Sequence, residues 1–222
     1  MASLKIAALI VAGGRGTRCS SDIPKQYQKI KETPLLSYTL KAFLTDKRFG
    51  MVLCAIHPED LTLYKEAISP YNVPYVYGGA TRQESVMNGL NGLISYAPDL
   101  IFIHDAARPN TQSSDFDLLL KVFEDSTIDG ALLALPITDT VKFVENGIIQ
   151  KTIPRENLFR AQTPQAFRFQ KILEAHQKAP HHNFTDDASI AESFGLKVKI
   201  VIGSDQNIKI TERQDFLKVV VN

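Results

Sequence analysis

The sequence predicts an α/β fold, a mostly parallel twisted sheet with helices on both faces and one protruding β-hairpin arm. Short apolar runs, typical of strands buried on both faces, alternate with segments whose apolar residues recur at helical spacing. After residue 135 this alternation gives way to two short β-rich segments around Asn146-Gly147, a dipeptide typical of tight hairpin turns. Strands that alternate with helices favour a parallel sheet covered by helices, to which the hairpin is attached.

The individual elements follow from the same periodicities. Apolar runs predict strands at residues 6–11, 51–56, 73–77, 100–104, 197–202 and 207–210, with a further apolar run at 130–135. Helical spacing predicts helices at residues 36–46, 59–68, 82–93, 170–176, 187–194 and 212–219, and another after Ser113 or Ser114 as its cap. The hairpin comprises residues 141–144 and 148–153. A two-stranded ribbon is marginal alone, so we expect it to pack on another surface, for which a partner subunit is one candidate.

The composition limits the class of protein. A chain of 222 residues predicts one domain, residues 1–222, with a hairpin arm at about 138–156. Lys+Arg 25 against Asp+Glu 24 leaves a formal charge of +1, which offers no bulk electrostatic attraction to nucleic acid or membranes. With no signal-peptide pattern and no apolar run near the ~18 residues of a membrane span, we expect a cytoplasmic protein. The spacing of Cys19 and Cys54 suggests neither a zinc site nor a disulfide framework.

A glycine-rich loop, residues 12–18, follows the first predicted strand without a spacer. Open α/β sheets bind nucleotides at the carboxyl ends of their strands, and glycines let backbone N–H groups approach phosphate oxygens. Arg18 and, after a short polar tract, Lys25 place two cations near this loop. We therefore interpret the loop as a phosphate cradle, although Lys25 taken alone is more typical of a solvated surface lysine.

Two other classes of glycine loop do not fit. A dinucleotide-binding loop requires glycine or alanine where this chain has Cys19, and an acidic residue after the next strand, where it has His57. A P-loop requires a Lys-Ser/Thr pair after its glycines, and none follows here. The cradle is therefore predicted to belong to another class of phosphate-binding protein.

Polar or glycine-rich clusters follow several predicted strands, and the carboxyl ends of parallel strands meet at one edge of a sheet. The side chains expected to converge there are Arg18, Lys25, Arg82, Asp105, Arg108 and Lys209. Such a set suits a nucleoside triphosphate and a second phosphorylated substrate, with the carboxylate holding a magnesium ion. Alternatives stay open: Asp105 as a cap paired with Arg108, and residues 185–187 as an acidic helix N-terminus favoured by the helix dipole.

Several sequence blocks, in order along nearly the whole chain, resemble one known family. They are residues 12–18, 24–27, 78–86, 104–109, 139–142, 160–165, 185–188 and 207–211. Each block is weak alone, but together they resemble the 2-C-methyl-D-erythritol 4-phosphate cytidylyltransferases of the non-mevalonate isoprenoid pathway. The resemblance implies a Rossmann-like nucleotidyltransferase fold and a magnesium-dependent reaction. In that reaction CTP and methylerythritol phosphate give the cytidine-diphospho product and pyrophosphate.

The resemblance also implies roles for individual residues. Arg18 and Lys25 would be catalytic, stabilising charge on the α-phosphate and on the departing pyrophosphate. CTP would be bound by Ala12, Gly13, Gly14, Gly16, Gly79, Arg82, Ser85, Asp105 and Lys209, with Asp105 also serving as the magnesium ligand. The polyol phosphate would be bound by Arg108, Thr140, Arg155, Thr163, Thr185 and Lys209. The hairpin would be the arm of a homodimer and would lend Arg108, Thr140 and Arg155 to the neighbour's site.

The residue types suit this chemistry, because a phosphate monoester is already an adequate nucleophile and needs no serine, cysteine or general base. Two alternatives stay open: a cytidylyltransferase for another polyol phosphate such as ribitol 5-phosphate, and a regulatory protein that binds CTP without turnover. Arg18, Lys25 and Asp105 argue against a mere binder, which needs no leaving-group clamp. Asp205 is a candidate second metal ligand. Some relatives carry a fused cyclodiphosphate synthase domain, so this chain is expected to be monofunctional or part of a longer protein.

Overall fold

A computed structural model describes residues 4–15, 23–179 and 184–219 of the chain. The strands are β1 (Ile6–Ala12), β2 (Lys29–Ile30), β3 (Thr33–Pro34), β4 (Phe49–Ile56), β5 (Tyr75–Tyr77), β6 (Leu100–Asp105), β7 (Gly130–Pro136), β8 (Val141–Glu145), β9 (Ile148–Ile153), β10 (Phe159–Arg168) and β11 (Val198–Ile202). The helices are α1 (Leu35–Leu44), α2 (Leu61–Ile68), α3 (Arg82–Gly92), α4 (Ser113–Val122), α5 (Phe169–Lys178) and α6 (Asp187–Ser193). Short 3₁₀ helices cover Lys25–Tyr27, Pro58–Asp60 and Arg213–Lys218.

A seven-stranded sheet in the order β11-β7-β10-β6-β1-β4-β5 frames the molecule. Its strand pairs are parallel except where β10 runs antiparallel to both β6 and β7. Strand β1 lies between β4 and β6, and Val11 near its carboxyl end is paired with Ala55 on one side and Asp105 on the other. The chain crosses from β1 to β4 and later to β6 on its other flank, which makes this edge the expected ligand crevice of an open α/β sheet.

Helices cover both faces of the sheet, as the sequence predicts. Along β1, Ala8 and Ile10 point to a core cluster that includes side chains of α1, α2 and α4. Ala7 and Leu9 point to the opposite cluster, which includes side chains of α3, α5 and α6. Because successive strand residues face opposite sides, burial on both faces requires an unbroken apolar run, which is what the first strand has. The predicted fold class is therefore confirmed.

The hairpin formed by β8 and β9 is a separate two-stranded sheet. Its turn residues Asn146 and Gly147 both have positive φ, 51° and 78°. This is the requirement of a type I′ turn, and it explains why Asn-Gly stands at this position. The predicted hairpin is thus confirmed in place and in turn chemistry.

Other elements differ from the prediction for identifiable reasons. Strand β10 was not predicted, because Gln162 and Gln165 interrupt its apolar pattern. Both are buried, and their side chains form hydrogen bonds to Ser204 and to residues at the start of α6, outside the sheet. No strand forms at 207–210, where Ile210 N–H donates to Ala107 O (2.8 Å) outside any ladder. The cap of α4 is Gln112 rather than a serine. No helix in the described part of the chain is long and apolar enough to cross a membrane.

Candidate active site

A cavity of about 310 Å³ opens at the carboxyl ends of β1 and β6, in front of the glycine loop. The predicted residues that line it are Ala12, Gly13, Gly14, Lys25, Gly79, Arg82, Ser85, Asp105 and Lys209. Gly16 and Arg18, which were predicted to complete this set, lie outside the described residues. All other predicted nucleotide-binding residues therefore converge on one cavity, although their contact with CTP stays a prediction.

The 3₁₀ helix after the loop carries Lys25 and also Gln26, which holds the loop backbone in place. The buried Gln26 donates from its side-chain amide to Ala12 O (2.7 Å) and Gly14 O (3.0 Å). Lys25 Nζ donates to Ile210 O (2.8 Å), which holds the ammonium group at the cavity wall. Gln26 therefore fixes this helix against the glycine loop, which explains why the helix follows the loop so closely in the sequence. Gln26 lies in the block 24–27 that carries the family resemblance, but the sequence alone predicts no role for it.

Gln26→Leu is expected to lower the free energy of unfolding by about 1–3 kcal/mol, since the buried carbonyl of Ala12 and the partly buried hydrogen bond to Gly14 O lose their donor. With its backbone no longer held, the loop should also raise the KM for CTP, the nucleotide predicted by the family resemblance, by about tenfold. Chemical denaturation and steady-state kinetics measure the two effects. Gln28→Leu is the matched control, because the Gln28 side chain donates to Ile23 O (2.9 Å) in an exposed hydrogen bond and does not line the cavity. Equal KM effects in the two variants would contradict the role of Gln26.

The loop between β5 and α3 forms another wall of the cavity, and hydrogen bonds within the loop fix its shape. Gly79 N–H donates to Ser85 Oγ (3.1 Å), which in turn donates to Thr81 O (2.9 Å). Ala80 N–H donates to Glu84 Oε2 (2.7 Å). A Cβ on Gly79 would lie 2.3 Å from Glu84 Cβ, so a larger residue could not keep this loop. The predicted cytosine-bordering residues therefore make a tight, backbone-lined wall, in which the Ser85 hydroxyl already serves the loop itself.

Asp105 is a single carboxylate surrounded by three cations. Its Oδ1 accepts from Arg82 Nε (3.2 Å), its Oδ2 accepts from Lys209 Nζ (2.7 Å), and Arg108 Nε lies 4.0 Å from Oδ2. Burial alone would raise the pKa of Asp105, but Arg82, Lys209 and Arg108 outweigh it and hold that pKa well below its usual range. The cluster thus has surplus positive charge beside the cavity, which suits phosphate.

A second carboxylate, Asp187 at the start of α6, holds the far side of Arg82. Its Oδ2 accepts from Arg82 Nη2 (2.8 Å), and its Oδ1 lies 3.2 Å from His176 Nε2. Burial by itself would lower the pKa of Arg82, but Asp187 and Asp105 outweigh it and raise the pKa. From the sequence, residues 185–187 could either belong to a binding site or form an acidic helix N-terminus. The structure gives both, since Asp186 caps α6 and Asp187 reaches Arg82.

A smaller cavity of about 220 Å³ adjoins the first and shares Arg82, Asp105 and Lys209 with it. Its remaining predicted residues are Arg108, Thr163 and Thr185.

Two of these side chains are also used internally. The Thr163 hydroxyl accepts from Asp105 N–H (3.0 Å) and lies 3.1 Å from His104 Nδ1, while Arg108 Nη1 donates to Asn207 O (2.7 Å). Burial lowers the pKa of His104 to about 4, which keeps its ring neutral at ordinary pH. The exposed Thr185 has no comparable constraint among the described contacts.

The two hairpin residues that were predicted to bind the polyol phosphate lie outside both cavities. Thr140 and Arg155 are exposed at the base of the hairpin and line neither cavity, and Arg155 donates to Thr138 O. Arg108 was expected to be lent to a neighbouring subunit, and that role stays a prediction. Its side chain is buried in its own chain, bonded to Asn207 and close to Asp105.

Arg15 is a cavity residue that sequence reasoning missed. Its guanidinium reaches across to the turn after β4, where Nη1 donates to Asp60 Oδ1 (3.1 Å) and Nη2 lies 2.8 Å from His57 Nδ1. Glu59 is a further partner. The available signal was an arginine between glycines and two acidic residues after the next strand, but joining them requires knowing that β1 and β4 are neighbours.

The described residues do not fit a metal held by the protein. They contain no group of three or more His, Cys, Asp and Glu side chains placed to bind an ion. Both oxygens of Asp105 already face cations, and a magnesium ion beside them would have to displace Arg82 or Lys209. Asp205, the second candidate ligand, is exposed and paired with Arg160 at 3.3 Å. The predicted role of Asp105 as a direct magnesium ligand is therefore not supported by its surroundings.

A glycine loop at the central strands, a cationic cluster and two adjoining cavities give the chain the architecture of an α/β phosphate-binding protein. A family model described as 2-C-methyl-D-erythritol 4-phosphate cytidylyltransferase matches residues 6–220. The chain belongs to this family, which confirms the resemblance seen in its sequence.

Curated relatives and solved structures agree with this assignment. The chain is 42% identical over 212 residues to the bifunctional enzyme IspD/IspF of Paramagnetospirillum magneticum, covering 95% of this chain and 55% of the relative. It is 43% identical over 213 residues to that of Rhodospirillum rubrum, covering 95% and 55%. The chain thus spans about half the length of these curated relatives. The structure of Francisella tularensis 2-C-methyl-D-erythritol 4-phosphate cytidylyltransferase has a TM-score of 0.82 at 32% identity, covering 96% of this chain and 97% of that one.

Proposed function

We propose that this chain transfers the cytidylyl group of CTP to 2-C-methyl-D-erythritol 4-phosphate and releases pyrophosphate. The observation that carries the proposal is the pair of adjoining cavities joined by Arg82, Asp105 and Lys209. A group transfer between two phosphorylated substrates requires two anion-binding spaces that meet at shared cations. The larger space, with its glycine loop, suits the nucleotide, and the smaller suits a polyol phosphate. Both substrates are small, charged metabolites, and we propose that the reaction takes place in the cytoplasm.

The chemistry needs no protein nucleophile. A phosphate oxygen of the acceptor attacks the α-phosphorus of CTP, a new P–O bond forms, and the P–O bond to the β,γ-pyrophosphate breaks with its electron pair leaving on pyrophosphate. Backbone N–H groups of the glycine loop and the ammonium of Lys25 stabilise the charge that develops on the transferred and departing groups. Arg18 would act beside Lys25. Lys209 and Arg82, at the junction of the cavities, would keep the two anions together despite their repulsion.

Magnesium, expected for this family, would be carried on the oxygens of the triphosphate rather than on a protein ligand set. This follows from the crowding of Asp105 by cations in the described part of the site. The side chain of Asp105 then has another use, which is to hold Arg82 and Lys209 at the junction.

Pyrophosphate release with CTP and each of several acceptors tests the proposal. Release with methylerythritol phosphate and none with ribitol 5-phosphate is the expected result. Release only with ribitol 5-phosphate would favour the alternative acceptor. CTP binding without release for any acceptor would favour a regulatory binder, and either outcome would contradict the proposed function.

We also propose that the hairpin joins two copies of the chain. The exposed apolar side chains of Phe143, Val144, Ile148 and Ile149 are 45–66% accessible on a ribbon that has little core of its own. A second copy would cover this surface, and Thr140 and Arg155 at its base could then approach the neighbour's smaller cavity. In this arrangement the smaller cavity would be completed across the dimer.

Ile149→Glu is expected to weaken dimerisation at least tenfold, because it places a charge at a position that the proposed interface buries. Light scattering over a range of protein concentrations measures the change. Activity per chain should fall in parallel wherever monomer prevails. Gln150→Glu is the control, since it adds the same charge at a polar position of the same strand. A wild-type chain that is monomeric at all concentrations would rule out the interface.

A further inference from the structure

Arg82 lines both cavities and is held by two carboxylates from different parts of the fold. Its Nε donates to Asp105 and its Nη2 donates to Asp187, while Nη1 has no hydrogen-bond partner among the described residues. The side chain is 26% exposed. Nη1 is therefore the one guanidinium nitrogen without a partner among the described residues, on a side chain that lines both cavities.

We propose that Asp187 and His176, neither of which lines a cavity, are positioning residues that fix Arg82 so that Nη1 is presented to bound CTP. The proposal rests on the proposed function for the identity of the ligand. It adds a buried pair, behind the site, to the residues on which nucleotide binding depends.

The geometry of the pair is that of a support for Arg82. The side chains of Asp187 and His176 are both fully buried, and each Asp187 oxygen has one partner, Arg82 or His176. Burial alone would raise the pKa of Asp187, but Arg82 and His176 outweigh it and lower the pKa. A carboxylate at Nε alone would leave the guanidinium plane free to rotate. A second carboxylate at Nη2 fixes that plane and leaves one amino group to point at the ligand.

Asp187 is itself held in place by the neighbouring strand. Gln165 on β10 donates to Asp186 Oδ2 (2.8 Å) and accepts from Ala188 N–H (2.9 Å), so it contacts the residues on both sides of Asp187. Strand β10 pairs with β6, which ends at Asp105. The two carboxylates that bind Arg82 are therefore both positioned by the adjacent strands β6 and β10.

Stability alone does not account for this pair. Buried ion pairs contribute little net stability compared with apolar side chains of similar volume, because desolvation offsets their attraction. A chain with no use for an oriented Arg82 would lose little by an apolar residue at each position. The placement of the pair directly behind a cavity residue is what the positioning role requires.

The first experiment measures CTP binding by calorimetry without an acceptor, on the full chain. Asp187→Asn keeps the side-chain volume and removes the charge, and we expect it to weaken CTP binding by about 10- to 100-fold, the effect of one hydrogen bond to a charged group. His176→Leu removes the donor to Asp187 and should weaken binding in the same direction. His176→Gln restores a side-chain N–H near the position of Nε2 and should recover most of the affinity. The two His176 variants decide the matter if Asp187→Asn does not fold.

Double variants separate positioning from general destabilisation. If Asp187 acts through Arg82, then Asp187→Asn combined with Arg82→Gln should bind CTP no more weakly than Arg82→Gln alone. Asp115→Asn is the control, because Asp115 is a buried carboxylate in the first turn of α4 that accepts from Gln112 N–H (2.9 Å) and lines neither cavity. It should lower stability and leave CTP affinity unchanged.

The results have distinct meanings. Additive losses in the double variant, wild-type affinity in Asp187→Asn, or equal affinity of His176→Leu and His176→Gln would overturn the positioning role. A wild-type chain that binds CTP but releases no pyrophosphate would overturn the proposed reaction, and the binding constants would still decide the role of Asp187. Absence of CTP binding by the wild type would overturn both.

Discussion

Lys25→Ala is expected to lower kcat by about 10²–10³-fold, the effect of removing one preorganised donor from a site of developing negative charge. Lys25 lines the nucleotide cavity, and its ammonium is held by Ile210 O at 2.8 Å before any ligand arrives. A group held in this way need not reorganise when charge develops on the departing pyrophosphate. The KM for CTP should change much less than kcat if the interaction strengthens in the transition state.

Steady-state and single-turnover kinetics measure this effect, with pyrophosphate release as the signal. Lys29→Ala is the matched control, because Lys29 is an exposed lysine on β2 that does not line the nucleotide cavity. Lys25→Arg should recover part of the rate, since it keeps the charge but cannot place a compact ammonium at the same point. A Lys25→Ala protein that retains most of its kcat would remove Lys25 from the catalytic group.

The prediction of Lys25 shows what local sequence can supply. A buried strand followed at once by a glycine loop predicts a backbone cradle, and a lysine just beyond it is then near the ligand whatever the rest of the fold does. The same reasoning located Asp105, which ends its strand beside β1. Each of these residues is placed by its own strand, so its position depends on few long-range contacts.

The contacts that the sequence could not predict join distant elements of the chain. Arg15 meets Asp60 because β1 and β4 are parallel neighbours, and Asp187 meets Arg82 across 105 positions of the chain. Strand β10 escaped prediction because its glutamines look exposed in a single sequence. They are buried because β10 inserts antiparallel between β6 and β7, and their amides bond to Ser204 O and Asp186 Oδ2, in segments that follow other elements of the fold. Pairings of this kind depend on strand order, which hydrophobic periodicity does not specify.

Asp105→Asn is expected to lower the free energy of unfolding at neutral pH by about 3 kcal/mol, since breaking a buried charge network costs about 3–5 kcal/mol and Arg82 keeps Asp187. The substitution preserves volume but leaves Arg82, Arg108 and Lys209 without their shared carboxylate. Chemical denaturation at pH 7 measures the loss. Asp205→Asn is the control, because Asp205 pairs with Arg160 on the surface, and such pairs contribute about 0–1 kcal/mol.

The pH dependence of stability should differ between Asp105→Asn and the wild type in a defined direction. The pKa of Asp105 is lower in the folded chain than the usual value of about 3.9 in an unfolded one. Below about pH 4 the unfolded chain therefore takes up a proton that the folded chain still excludes, and the contribution of Asp105 to stability declines as the pH falls. Asp105→Asn should show a shallower loss of stability below pH 4 and a constant deficit above it. A deficit that persists undiminished to pH 2 would contradict this origin.

Because Asp105→Asn leaves cations in the site without their carboxylate, we also expect pyrophosphate to stabilise this variant more than a merely destabilised one. Pyrophosphate placed in the cavity would supply the missing negative charge, so it should raise the Tm of Asp105→Asn by more than that of the wild type. Asp115→Asn, which is also destabilised but keeps its cavity charges, should respond to pyrophosphate as the wild type does. An equal rise in all three proteins would mean that Asp105 does not set the charge of the site. A larger rise in Asp105→Asn alone would identify it as the internal anion whose place a substrate phosphate can take.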